Sequence, residues 1–157
     1  VPYKIVDTQI ANIIFDIRKE KNPCSLCAKM RRGALHDAVN ELGFNKVALG
    51  HHADDAVETL FLSMLYEGRI ATFKPVTYLS RKDIHNIRPM VYLKEKQIIS
   101  AVSRNNIPIA KSPCPMDKNT KREEVKNLLN TIYKDIPEAR DRLLTSLMNG
   151  KNLSIWK

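Results

Sequence analysis

The sequence predicts an α/β fold, with a Rossmann-like parallel sheet, helices on both faces of the sheet and further helices at the C-terminus. Short apolar runs typical of strands alternate with longer stretches whose apolar residues recur every three or four positions, as in amphipathic helices. The length of 157 residues suits one domain, and no linker, repeat or low-complexity tract divides the chain. We therefore expect residues 1–157 to form a single domain.

The first half of the chain is expected to alternate strands with helices. Gly43 follows an apolar helical stripe and is a typical C-terminal stop. A short apolar run that ends in Gly50 is typical of a buried parallel strand. The predicted elements are a strand at Ile5–Val6, a helix over 10–17, a helix over 30–42, a strand over 46–50 and a helix that starts at Asp54 and Asp55.

The second half begins with the least regular stretch, residues 70–92, which contains Pro75 and Pro89 and is assigned one or two short strands. The segments after it have clear helical periodicity. They are a helix over 94–105, a short strand at Ile107–Ile109, a helix with the stripe Val125, Leu128, Leu129 and Ile132, and a last helix that opens at Pro137.

Charge and cysteine content restrict the function classes. The net charge of +9 favours an acidic partner, and nucleic acid is the leading candidate. Three cysteines without a secretory signal argue against a disulfide framework and for reduced thiols. The sequence has no stretch long and apolar enough for a membrane span, so a cytoplasmic protein with no membrane partner is expected.

Cys24 and Cys27 form a Cys-x-x-Cys pair, and Cys114 is the third thiol. All three are expected in loops. Such a pair brings two thiolates to one metal, and the fold can add a distant third thiolate. Three thiolates leave one coordination position open, which suits an iron–sulfur cluster. A fourth ligand from His51, His52 or Asp117 would instead favour zinc. A solvent-exposed redox pair, or three unrelated cysteines, remain alternatives.

The run Gly50-His51-His52-Ala53-Asp54-Asp55 joins a predicted strand to a predicted helix. A glycine there permits close approach of a ligand to the backbone, and carboxylates at a helix start can hold Mg²⁺ beside bound phosphates. Whether or not a metal binds there, Asp54 or Asp55 is expected to cap the helix, which stabilises it by about 1 kcal/mol. For His51 and His52, packing or a hydrogen bond is the simpler explanation.

Several motifs together resemble one family. The chain is similar to the tRNA 2-thiocytidine synthetase branch of the PP-loop ATP pyrophosphatases, from Val1 to about Leu129. The matching segments are Pro23-Cys24-Ser25-Leu26-Cys27-Ala28-Lys29-Met30-Arg31-Arg32-Gly33, Glu41-Leu42-Gly43, Ala48-Leu49-Gly50-His51-His52-Ala53-Asp54-Asp55, Glu58-Thr59-Leu60, Ile87-Arg88-Pro89 and Cys114.

The resemblance implies an adenine nucleotide alpha hydrolase-like fold and a two-part reaction. ATP adenylates a carbonyl oxygen of a tRNA base and releases pyrophosphate, and sulfur then displaces AMP. By the same resemblance, Cys24, Cys27 and Cys114 would hold a 4Fe-4S cluster with one iron open to sulfur. The resemblance also implies a sulfur donor such as a cysteine desulfurase, and it leaves a homodimer open.

The remaining roles follow the same resemblance. Gly50, His51, His52, Asp54 and Asp55 would line the ATP and Mg²⁺ region. Basic residues beside the cysteine pair could bind tRNA phosphates, although a solvated helix face is an equal alternative for each of them. These basic residues are Lys29, Arg31 and Arg32.

Two departures from the family matter. The Ser-Gly-Gly-Lys-Asp-Ser loop that grips ATP phosphates is absent from this sequence. The sequence is therefore interpreted as N-terminally truncated, and we do not expect it to adenylate a substrate alone. Cys114-Pro115-Met116-Asp117 stands where many relatives have a second Cys-x-x-Cys. Alternative functions are a PP-loop enzyme acting on another tRNA position and a non-catalytic, zinc-stabilised RNA-binding domain.

Overall fold

The computed structural model describes residues 2–117 and 120–150. They divide into two compact units, one made of Val1–Leu49 and Val76–Ile87, the other of Gly50–Pro75 and Arg88–Lys157. The single domain predicted for residues 1–157 stays a prediction. Among the residues described, no helix has the length and apolar character needed to cross a membrane.

The first unit holds a π-helical segment, one long helix and the sheet. The segment Asn12–Ile17 confirms the helix predicted over 10–17, with π-helical geometry. The other elements are helix α1 (Pro23–Glu41) and strands β1 (Lys46–Ala48), β2 (Val76–Leu79) and β3 (Ile84–Ile87). Helix α1 starts early because Pro23, with its fixed φ, suits the first helical turn. It ends before Gly43, whose φ of 73° is a conformation that glycine adopts readily.

The sheet is mixed, with strand order β1-β3-β2. Strand β1 runs parallel to β3, with Val47 opposite Asn86, whereas β2 runs antiparallel to β3. The α/β class is confirmed, but the sheet is not fully parallel, because residues 80–83 form a short turn and such a turn joins antiparallel neighbours. The parallel strand predicted over 46–50 is confirmed for Lys46–Ala48, but within it only Val47 is buried.

Two other predicted strands are wrong. The backbone at Ile5–Val6 and at Ile107–Ile109 is irregular, although both segments are rich in β-branched residues. Ile5 is 70% exposed and Ile109 is 78% exposed, and neither segment takes part in the described sheet. β-Branched residues favour strands mainly through packing on a neighbouring strand, so without that neighbour the sequence preference has no effect.

The second unit is helical. Its helices are α2 (Ala53–Glu67), α3 (Glu95–Arg104), α4 (Lys121–Asp135) and α5 (Ala139–Met148), close to the predicted positions. The core is formed by Val57 of α2 with Val125 and Leu129 of α4, each at most 2% exposed. Phe61, Leu143 and Leu147 pack around them. The apolar stripes of α2, α4 and α5 therefore meet, and the start of α2 is held against α4.

Candidate functional site

The start of helix α2 is fixed by a reciprocal cap. His52 is the N-cap residue, and its backbone N–H donates to Asp55 Oδ2 at 2.9 Å. The N–H of Asp55 in turn donates to His52 Nδ1 at 3.4 Å. Both bonds satisfy amides that a helix start leaves without intrahelical partners. The predicted capping role is thus confirmed for Asp55, and His52 acts in the cap as well.

Asp54 is buried, with 7% of its surface exposed, and its carboxylate already has two partners. The N–H of Glu95, the first residue of α3, donates to Asp54 Oδ2 at 2.7 Å. Arg140 Nη1 lies 3.4 Å from Asp54 Oδ1. A carboxylate at the positive end of a helix and beside a guanidinium is well stabilised. Asp54 therefore joins three helices of the second unit.

His51 lies against an aromatic ring. Its imidazole centroid is 4.8 Å from that of Phe73, and the Arg88 guanidinium lies 4.7 Å from the same Phe73 ring. Burial, and then the positive charge of Arg88, lower the pKa of His51 below its ordinary value of 6.5. Its Nδ1 atom is buried without a hydrogen-bond partner among the described residues. The ring contact with Phe73 agrees with the packing interpretation, and the lowered pKa favours the neutral imidazole.

A half-buried ion pair follows one turn later, in which Glu58 is buried and Arg122 is partly exposed. Glu58 is 5% exposed, and Arg122 Nη1 of α4 donates to Glu58 Oε2 at 2.9 Å. Arg122 Nη2 donates to Thr59 Oγ1 at 3.1 Å, and Nη1 lies 3.6 Å from Asp55 Oδ1. Burial raises the pKa of Glu58, and the Arg122 guanidinium opposes that shift. Arg122 was missed in the sequence because its partners lie more than 60 positions away.

A small cleft, partly open to solvent, lies among α2, α3, α4 and α5. Three carboxylates of this region each have a cationic partner, so their charges are largely neutralised within the chain. The pairs are Asp54 with Arg140, Glu58 with Arg122 and Glu95 with Lys126. Arg140 also stacks 4.5 Å from the Tyr133 ring centroid. Two of these pairs join the first turns of α2 to α4 and to α5, and the third joins α3 to α4.

Gly50 precedes this network and has an ordinary backbone conformation. A Cβ atom built on it would meet Met90 Cε at 3.7 Å, which is normal van der Waals contact. Within the second unit, therefore, nothing in the described surroundings of Gly50 requires a glycine. Its role in approaching a ligand stays a prediction.

The predicted loop position of Cys24 and Cys27 was wrong. Both lie in the first turns of α1, because that helix begins at Pro23. Cys24 is exposed, and Cys27 is a half-buried free thiol. Residues three apart lie on the same side of a helix, so both side chains project from one face.

Cys114 lies in irregular backbone, as predicted, and is an exposed free thiol. Its N–H donates to Ser112 Oγ at 3.3 Å, and its carbonyl accepts from the N–H of Asp117 at 3.0 Å. Cys24 and Cys27 belong to the first unit and Cys114 to the second. Within residues 2–117 and 120–150, no group of three or more His, Cys, Asp or Glu side chains is arranged to hold a metal ion.

Three basic residues follow the cysteine pair on α1. Lys29, Arg31 and Arg32 are all exposed, and Arg32 Nε donates to the carbonyl of Ala28 at 3.2 Å. Arg31 lies one helical turn beyond Cys27. The first half of α1 therefore presents thiols and positive charge together.

Comparisons with known proteins agree with these motifs. A family model described as the PP-loop domain matches residues 3–132. The chain is 38% identical over 151 residues to a tRNA-cytidine(32) 2-sulfurtransferase of Aliivibrio fischeri strain MJ11, covering 95% of this chain and 49% of that protein. It is 35% identical over 157 residues to a protein of the same name from Coxiella burnetii strain RSA 493, covering 96% and 60%.

A solved structure supports the fold. The U34-tRNA thiolase NcsA from Methanococcus maripaludis, determined with its [4Fe-4S] cluster, matches with a TM-score of 0.68. The match covers 88% of this chain and 47% of that one, at 22% identity, so it establishes the fold alone. The chain spans about half to three fifths of the length of the relatives it matches.

Proposed function

Because the chain belongs to the PP-loop domain family, we propose that it is part of an enzyme that thiolates a cytidine of tRNA at the expense of ATP. The relatives named tRNA-cytidine(32) 2-sulfurtransferase support this assignment, since they match more than nine tenths of the chain. The chain spans only part of their length, so the whole reaction is proposed for the product of the complete gene.

The observation that carries the proposal is the start of helix α1. Two cysteines lie one helical turn apart in its first turns, and exposed basic side chains follow in the next turn. We propose that Cys24, Cys27 and Cys114 are ligands of a 4Fe-4S cluster. Thiolates are the usual protein ligands of such clusters, and two of them come from one helical face. When bound through three thiolates, the cluster supplies an iron atom that is open to sulfur.

The remaining residues act on the nucleotide and on tRNA. His51, the His52–Asp55 cap and Gly50 are proposed to face ATP. Asp54 and Asp55 are proposed to face Mg²⁺. Each carboxylate would bind the ion through oxygen lone pairs that are not used by its contacts within the chain. Their contacts favour an additional role in fixing the start of α2.

The basic residues of α1 are proposed to bind tRNA phosphates. Lys29, Arg31 and Arg32 lie next to the thiols, so phosphate contacts there would hold the tRNA near the sulfur. Phosphate contacts position a nucleic acid without reading its sequence. A cysteine desulfurase is the proposed class of sulfur donor, a homodimer is compatible with the proposal, and a cytoplasmic location is expected.

Mass spectrometry of tRNA nucleosides tests the assignment. A strain lacking the gene should lose 2-thiocytidine, and the complete gene should restore it. The Cys24→Ser variant should not restore it, whereas Ser25→Ala, which changes the exposed residue beside it, should. Unchanged 2-thiocytidine in the deletion strain would exclude this substrate, and loss of a different thionucleoside would favour the PP-loop alternative.

A further inference from the structure

The backbone on both sides of Phe73, in the segment between α2 and β2, is held by hydrogen bonds. Before it, Thr72 Oγ1 donates to the carbonyl of Ala56, in the first turn of α2, at 2.8 Å. After it, Arg88 Nη1 donates to the carbonyl of Lys74 at 2.6 Å. Neither bond involves the ring of Phe73, so the place of this residue beside α2 is set independently of what its ring contacts.

The ring of Phe73 contacts two polar side chains. The guanidinium carbon of Arg88 lies 4.7 Å from the ring centroid, and a cation at this distance is attracted to an aromatic ring. The imidazole of His51 lies 4.8 Å from the same centroid, at an interplanar angle of 42°. Tilted aromatic pairs at such a distance are favourable. Because Arg88 binds both the ring and the next carbonyl, the imidazole packs on a ring that is itself fixed.

His51 has a fixed backbone, but no hydrogen bond through Nδ1 orients its side chain. The next residue, His52, caps α2, and the N–H of Ala53 donates to the carbonyl of Leu93 at 2.9 Å. These bonds fix the chain and leave rotation about the His51 Cα–Cβ bond, which has several staggered positions. Nδ1 of His51 is buried without a hydrogen-bond partner among the described residues. The ring of Phe73 is therefore the neighbour placed to select one of these positions.

We propose that Phe73 is a positioning residue that holds the imidazole of His51 in one orientation at the start of α2. The inference rests on the proposed function for its significance, because His51 is proposed to face ATP. A side chain that is already ordered loses less conformational entropy when a ligand binds. Phe73 acts through the imidazole that it contacts. Both residues and Arg88 belong to the second unit, so the claim concerns that unit alone.

The competing explanation is that Phe73 only fills space beside α2. Any apolar side chain of similar size would then serve equally well, and His51 would keep its orientation without an aromatic neighbour.

Three variants separate the two explanations. Phe73→Leu keeps apolar bulk and removes the ring. Phe73→Tyr keeps the ring and should behave like the parent. Phe61→Leu makes the same change at a ring that packs against the core of α2 and α4, and serves as the matched control. Circular dichroism of each variant establishes that the helices are intact.

Nuclear magnetic resonance reports the orientation of the imidazole. The protein of the complete gene is isotopically labelled in its histidine rings, and the His51 signals are identified by their loss in His51→Gln. The parent should show Overhauser contacts between the imidazole and the Phe73 ring, and little imidazole motion on the picosecond to nanosecond timescale. Phe73→Leu should shift the His51 signals, through loss of the ring current, and increase this motion. Phe73→Tyr and Phe61→Leu should leave the signals and the motion as in the parent.

The proposal is overturned if the parent shows no Overhauser contact between the two rings, if Phe73→Leu leaves the His51 signals and motion unchanged, or if Phe61→Leu alters them equally. The first outcome needs no variant, so the test stays decisive if Phe73→Leu does not fold. Neither ATP nor tRNA enters these measurements, so a negative result leaves the thiolation proposal standing. Conversely, unchanged 2-thiocytidine in the deletion strain would remove the thiolation proposal and leave the contact between the rings intact.

Discussion

Replacing Asp54 tests whether this buried carboxylate has a structural role in addition to any role with magnesium. Asp54→Ala removes the acceptor of the 2.7 Å bond from the Glu95 N–H and the partner of Arg140 at 3.4 Å. A buried hydrogen bond to a charged group is worth about 2 kcal/mol. Because Arg140 is one third exposed, its ion pair adds only about 0.5 kcal/mol. The expected loss in the free energy of unfolding is about 2.5 kcal/mol.

Asp54→Asn should cost less, about 1 kcal/mol, because the amide oxygen still accepts from Glu95 while the charge is lost. Urea unfolding followed by circular dichroism, in the presence of a chelator, measures both variants without divalent cations. Asp141→Asn is the matched control, since Asp141 pairs with Lys94 on the surface and should change stability by less than about 0.5 kcal/mol. Wild-type stability of Asp54→Ala in chelator would refute the structural role.

Further predictions concern pH and tRNA. Because the pKa of Glu58 is raised, the folded state binds the Glu58 proton more tightly than the unfolded state, and ionised Glu58 destabilises the fold increasingly as pH rises above 4.5. In thermal unfolding, the stability of Glu58→Gln relative to wild type should therefore increase between pH 4 and 7. A difference that does not change with pH would contradict this. The lowered pKa of His51 means that stability falls as pH drops below 6.5, and its NMR titration midpoint should lie below that value; a midpoint at or above it would contradict the burial argument. Replacing Lys29, Arg31 and Arg32 together by Ala should weaken tRNA binding and reduce the salt slope of log K by about 2, measured by filter binding, and an unchanged slope would remove this surface from the interface.

The fold could be predicted where the sequence pattern is long. Helices α2 and α4 each carry several apolar residues at helical spacing, and these residues meet in the core. Short segments were less predictable. Ile5–Val6 and Ile107–Ile109 have strand-like composition, but pairing depends on a neighbour that composition does not reveal. The antiparallel placement of β2 depends on the short turn over residues 80–83, within a stretch assigned only irregular structure and short strands.

The sequence predicted the cap at the start of α2 but not the contacts around it. The His-His-x-Asp-Asp run at a helix start indicated Asp54, Asp55 and the cap directly. Arg122 and Arg140 could not be found in this way, because each contacts its partner through the folded packing of α4 or α5 on α2. Pro23 is a residue favoured in the first helical turn and indicates that α1 includes Cys24, whereas the apolar stripe of this helix starts only at Met30.

The most direct test is the metal content of the protein purified anaerobically from the complete gene. Iron and sulfide analysis with Mössbauer spectroscopy should find one 4Fe-4S cluster, about four iron atoms per chain, and the cluster should be lost or converted in Cys114→Ser. Bound zinc in place of iron would contradict the account and favour the zinc-stabilised RNA-binding alternative. An intact cluster in a protein with Cys24, Cys27 and Cys114 all changed to Ser would contradict the ligand assignment.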